Sequence, residues 1–187
     1  MSVLPVHIED VTAVTDLDAD IPLEKLVSEN DEAGYDAEHT EGVVFKLREP
    51  KATALVFPSG KIVCTGSKSI QQAKIAIDQV VERIGQLGVV VPDDPEITIE
   101  KIVAAFRMTA PFELEKVAEL LEGAEYDPEK IEGVVYRTTE PKSEFLILKK
   151  GKIICTGSNS IKEIQSSVKS LKEKLNKVGI KTDFVEE

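Results

Sequence analysis

Two cysteines and two histidines are the residues in this chain best equipped for chemistry, and their surroundings argue against it. A nucleophilic cysteine needs a polar, electropositive setting that lowers its pKa. Cys64 and Cys155 instead follow Ile62-Val63 and Ile153-Ile154, the pattern of a buried strand thiol, and a disulfide between them is not suggested. His7 and His39 stand in no recognisable catalytic motif, and neither a phosphate-binding glycine loop nor a metal-ligand spacing occurs. The alternating carboxylates of "DLDAD" at 16–20 lack the glycine and distal glutamate of a calcium loop, so a solvated loop is expected there. No enzyme, cofactor or metal site is expected.

What the cysteines do mark is a repeat. "KIVCTGSKSI" at 61–70 returns as "KIICTGSNSI" at 152–161, changed only at Val63/Ile154 and Lys68/Asn159. The same offset of 91 residues (Lys61 to Lys152) aligns Ile8-Glu9 with Ile99-Glu100, Leu23-Glu24-Lys25 with Leu114-Glu115-Lys116, and Tyr35-Asp36 with Tyr126-Asp127. It also aligns Gly42-Val43-Val44-Phe45-Lys46 with Gly133-Val134-Val135-Tyr136-Arg137, and Glu49-Pro50-Lys51 with Glu140-Pro141-Lys142. Two copies of one supersecondary unit are too few for a solenoid and fit a pseudo-twofold domain, with repeats at 6–91 and 97–182 and an acidic tail at 183–187.

Each copy reads as strand, helix, several strands, helix. "VHIEDVTAV" and "ITIEKIVAAF" are β-branched strands, and "PLEKLVSE" and "ELEKVAELLEG" are short helices. "GVVFKL" and "GVVYRT" are strands ended by Glu-Pro, "ATALVF" and "EFLIL" are the next strands, and "PSGK" and "KKGK" are tight turns. A long helix closes each copy. Its apolar stripe is Ile70, Ala73, Ile77, Val80, Ile84 and Leu87 in one, and Ile161, Ile164, Val168, Leu171, Leu175 and Val178 in the other. Ser69 and Ser160 suit N-caps, and Gly88 and Gly179 suit C-terminal stops. Helices on one face of an antiparallel sheet leave the other face open, and an open apolar face is usually a binding surface.

The composition allows a core and weighs against one partner class. Apolar residues make up 42% of the 187, enough for a buried interior, while the net charge of −11 argues, taken alone, against nucleic acid. No apolar run of ~18 residues occurs and the N-terminus lacks a basic region, so a soluble, cytoplasmic protein is expected.

The doubled Glu-Pro-Lys, the doubled Gly-Lys-Ile-x-Cys-Thr-Gly and the long helix after each resemble the TATA-box-binding protein family, over nearly the whole chain. The acidic balance resembles that of archaeal members. The resemblance implies an α+β fold: a pseudo-twofold saddle of two β-α-β4-α repeats, with a single ten-stranded antiparallel sheet and four helices on its convex side. It also implies a general initiation factor that sits in the minor groove of double-stranded TATA promoter DNA and wedges apolar side chains between base steps. The family bends the duplex by about 80°. The factor then recruits a transcription factor B-type protein and RNA polymerase, and works at the nucleoid. A grip resting on an apolar sheet with a few rim cations meets the charge objection. Those cations would be Lys46, Lys51, Lys61, Lys68, Arg137, Lys142 and Lys152.

Carried over position by position, the family pattern is only partly kept. The wedge places, usually Phe, are Thr40, Phe57, Ile131 and Leu148, and the usual Pro beside two of them is Glu41 or Glu132. The two central Asn places, which donate to minor-groove acceptors, are Asp10 and Lys101; a charge pair between them is expected. Thr65, Thr156 and Val103 keep family-like identities, and Thr12 replaces a usual Val. The resemblance places partner recruitment around Tyr126, Glu129 and Glu132. These substitutions motivate a second reading, a divergent paralogue with altered or lost TATA binding that acts as an interaction module or regulator. In either case the free protein is expected to cover its apolar face as a homodimer.

Overall fold

The alternation at the start of each repeat becomes a strand of 10 residues, β1 (His7–Asp16) and β6 (Thr98–Arg107). In this computed structural model residues 4–35, 41–109 and 111–186 are described. After β1 come α1 (Leu23–Glu29), β2 (Ala33–Tyr35), β3 (Val43–Arg48), β4 (Lys51–Val56), β5 (Lys61–Ser67) and α2 (Ile70–Gly85). After β6 come α3 (Leu114–Leu120), β7 (Gly133–Thr139), β8 (Lys142–Leu148), β9 (Lys152–Ser158) and α4 (Ile161–Lys177). The chain divides into two compact units. One is Asp10–Glu100; the other joins Lys101–Glu187 with the residues up to Glu9.

In the Asp10–Glu100 unit the antiparallel order is β2-β3-β4-β5-β1. Helix α2 lies against β4 and β5. Its stripe, Ala73, Ile77, Val80 and Ile84, is fully buried, as are Phe45, Val56 and Ile62 on the strands. Each of the larger of these side chains contributes about 1.5–3 kcal/mol through burial, so the stripe is what fixes the helix to the sheet. Ser69 caps α2, its hydroxyl accepting from the Gln72 N–H at 3.0 Å. Gly60, at φ 100°, closes the β4–β5 hairpin, where any Cβ would meet the Ala19 carbonyl at 2.7 Å.

The other unit repeats this with the order β6-β9-β8-β7 and α4 on β8 and β9. Its core is Phe145, Ile147, Ile153, Ile164, Val168 and Leu171, with the Tyr136 ring stacked on Phe145 at 6.5 Å. Two expectations change. Ten strands were expected and nine are named among the described residues, because the counterpart of β2 shrinks to a single bridge between Glu125 and Val135. Ser160 occupies the N-cap of α4 but makes no capping bond with its side chain; beside it the Ser158 hydroxyl donates to Glu163 Oε2 at 2.9 Å. The acidic tail is docked over its described part. The Val185 N–H donates to the Arg107 carbonyl at 2.9 Å, and Phe184 meets the Phe106 ring edge-on at 5.9 Å. Lys172 donates to Asp183 Oδ1 at 2.6 Å, and this bond holds the Asp183 carboxyl below its ordinary range.

Candidate nucleic-acid interface

Alternation along a strand sends every second side chain away from the helices. In the Asp10–Glu100 unit Phe45, Ala54, Ile62 and Cys64 point into the core, so Val44, Leu55 and Val63 point outward and are only half-buried. Register lines them up: Val14 pairs with Val63, Val63 with Leu55, and Leu55 with Val44. The result is an aliphatic row across four strands. Beside it runs a polar row, Thr65 paired with Thr53 and Thr53 with Lys46. Lys51 and Lys61 stand exposed at strand ends of the same face.

The second unit builds the same rows. Ala105, Ile154, Leu146 and Val135 follow one another in register, and Thr156, Glu144 and Arg137 form the polar row. Ser143, one position before Glu144, is buried on the helix side, where its hydroxyl meets that of Ser167 at 2.8 Å. Glu144 is therefore on the outward face.

The other nominated residues fall as follows. Phe57, one residue past β4, and Leu148, the last of β8, are half-buried, each accepting from the N–H of its hairpin glycine, and Ile131 is 44% exposed. Thr40 and His39 lie outside the described residues. Thr12 and Val103 sit where the strand register slips, between Val11 and Ala13 and between Ile102 and Ala104. Asp10 has a partner in its own unit, its Oδ1 accepting from the Gly66 N–H at 2.5 Å. Lys101 is exposed and belongs to the other unit, so the expected charge pair is not a contact within either one. Lys68 and Lys142 are exposed, just after β5 and at the start of β8.

Sequence reasoning missed the acidic partners of two cations. Arg137 is held by Glu144 at 2.9 Å and Glu125 at 3.1 Å, and these bonds push its pKa up. Lys152 pairs with Glu9 at 2.9 Å. The readable signal was the offset: position 144 matches Thr53, so a carboxylate stands where the first copy has a hydroxyl. Both cysteines lie in the core, and burial raises their thiol pKa, for Cys155 to about 11. They stay protonated and unreactive at neutral pH. No described helix is long and apolar enough to cross a membrane.

Tyr126 lines a groove of about 650 Å³ with Phe112, Leu114, Leu120 and Lys149 beside helix α3. Glu129 and Glu132 are exposed on the segment that follows.

The match to known proteins spans both copies. The family model described as Transcription factor TFIID (or TATA-binding protein, TBP) matches residues 5–87 and 96–178. The TATA-box-binding protein of Methanothermobacter thermautotrophicus is 38% identical over 175 residues, 94% of this chain and 97% of that one. That of Pyrobaculum neutrophilum is 36% identical over 174 residues, 93% of this chain and 88% of its own. The solved structure of Methanococcus jannaschii TBP superposes with a TM-score of 0.85 at 34% identity, covering 92% of this chain and 98% of that chain. With the family model on both repeats and relatives this similar over nearly their full length, the chain belongs to the TATA-box-binding protein family.

Proposed function

We propose that this chain is a general transcription initiation factor that binds the minor groove of TATA promoter DNA, kinks it, and presents its other surfaces to the transcription machinery. The observation that carries this reading is the outward face of each unit: an aliphatic row across four strands, a flanking row with Thr65 or Thr156, and exposed lysines at strand ends. Apolar strands and hydroxyls suit a groove floor of N3 and O2 acceptors and sugar edges, and cations at strand ends suit the phosphates. A net charge of −11 is compatible with this because most of the acidic residues lie off that face; Asp10 and Glu144 are on it, and each is bonded to a neighbour there.

Phe57, Leu148 and Ile131 are the wedges in this reading, and Thr40 is a weak one, since a short hydroxyl side chain fills an opened base step poorly. The relatives reported above are all TATA-box-binding proteins, and none supports the paralogue reading. The groove beside α3, with Tyr126 and the exposed Glu129 and Glu132, would take a basic partner surface; a transcription factor B-type protein is the expected one. Without DNA the aliphatic rows would favour pairing with a second copy, and the relatives' archaeal origin fits work at the nucleoid in the cytoplasm.

Titration of a fluorescent TATA duplex and a scrambled duplex of the same length, at 50 and 200 mM salt, tests the reading. The account expects tighter binding to the TATA duplex at both salts. Equal, weak binding to both by a protein that is folded by circular dichroism would favour the paralogue reading.

A further inference from the structure

The two repeats carry the same number of strands in their polar rows but not the same usable charge. In the Asp10–Glu100 unit Lys46, Lys51 and Lys61 have no ion pair among the described residues, and the hydroxyl of Thr53 stands beside Lys46. In the other unit the counterpart of Lys46 is Arg137, and two carboxylates hold it. The counterpart of Lys61 is Lys152, held by Glu9. Only Lys142, matching Lys51, has no ion pair among the described residues there.

Exposed ion pairs are individually weak, so the pairs themselves would not stop Arg137 from turning to a phosphate. The larger effect comes from what stays behind. If Arg137 leaves, Glu144 and Glu125 face a polyanion with no neutralising partner. If it stays, the cluster brings a net charge of one negative to the duplex. Either way the second repeat gains little from its central cation, whereas Lys46 can give its whole charge to phosphate.

We infer that Glu144 and Glu125 offset the charge of Arg137 at the duplex, so that electrostatic grip on it comes mainly from the first repeat. This rests on the DNA-binding reading above. Its consequence is an unequal hold at the two ends of a nearly symmetric site: the half under the first repeat is gripped by charge, the half under the second by apolar contact. Counterion release makes the claim measurable, because each phosphate neutralised adds about 0.9 to the slope of log K against log salt.

The test compares salt slopes for the wild-type chain, the double variant Glu144→Thr with Glu125→Gln, and a charge-matched control, Glu82→Gln with Glu173→Gln, whose exposed side chains lie on α2 and α4. The double variant is expected to steepen the slope by about 0.9, which deepens the loss of affinity between 50 and 200 mM salt about three- to fourfold. Adding Arg137→Gln to the double variant should remove that gain, and the control should keep the wild-type slope. A double variant with the wild-type slope overturns the inference. So does a control that steepens the slope equally, since net charge would then be the cause. If the wild-type chain binds no duplex at any salt, the DNA-binding reading fails first, and the inference with it. Thermal melts of each variant confirm that comparison is made between folded proteins.

Discussion

Asp10 looks misplaced on a face meant for DNA, since a carboxylate cannot donate to minor-groove acceptors. Its contact explains its presence. Oδ1 accepts from the N–H of Gly66, a residue at φ 86° next to the register slip in β1, and so satisfies a backbone donor at an irregular end of the ladder. An amide would do the same with its oxygen and would also carry two donors and no charge. Asp10→Asn should therefore keep the fold and strengthen binding to a TATA duplex by about 1 kcal/mol, read by titration at fixed salt. Weaker binding by a variant with an unchanged melting temperature would show that the carboxylate is used against DNA in a way the geometry does not explain. Lys101 holds the equivalent place in the second copy and cannot accept, so this device exists in one repeat only.

Elements were the most legible scale. The period-two and period-3.6 patterns located all four helices and eight of the strands, because in each unit one face is buried and the pattern must match it. The strand count was not legible. Residues 33–35 form a short strand while Glu125 makes only one bridge to Val135, and "EYD" and "GYD" differ by a single residue type with no periodicity to read. Capping was legible as a motif and only half-right as chemistry. Ser69 caps α2 through its hydroxyl, but at α4 the hydroxyl of Ser158, two positions earlier, donates to Glu163 and accepts from the Ser160 N–H. Ser69→Ala should cost about 1 kcal/mol of stability, while Ser160→Ala should cost a few tenths at most. Chemical denaturation of both variants checks this; equal costs would mean that the N-cap positions, not their hydrogen bonds, set the stability.

At the scale of the molecule, the identity of the fold was written in what the two copies share, and the character of this member lies where they differ. Glycines, the Cys-Thr-Gly strands and the helix stripes recur because each unit needs the same hairpins and the same core. The candidate site was nominated in outline only through the resemblance, which named Thr65, Thr156, Lys46 and Phe57; of these, strand parity and register turn Thr65, Thr156 and Lys46 outward. Its electrostatics were not, because Glu9, Glu125 and Glu144 are distant in sequence from some of the cations they meet and only register brings them together. The central claim is that an acidic protein grips and kinks a duplex through apolar sheet faces. The most direct measurement is the end-to-end distance of a doubly labelled TATA duplex by fluorescence energy transfer, with and without the protein. The account predicts a clear shortening on the TATA duplex, of the size expected for a bend of about 80°, and little change on a scrambled duplex. Saturating binding with no shortening would contradict it, because contact without wedging would then be all that these faces provide.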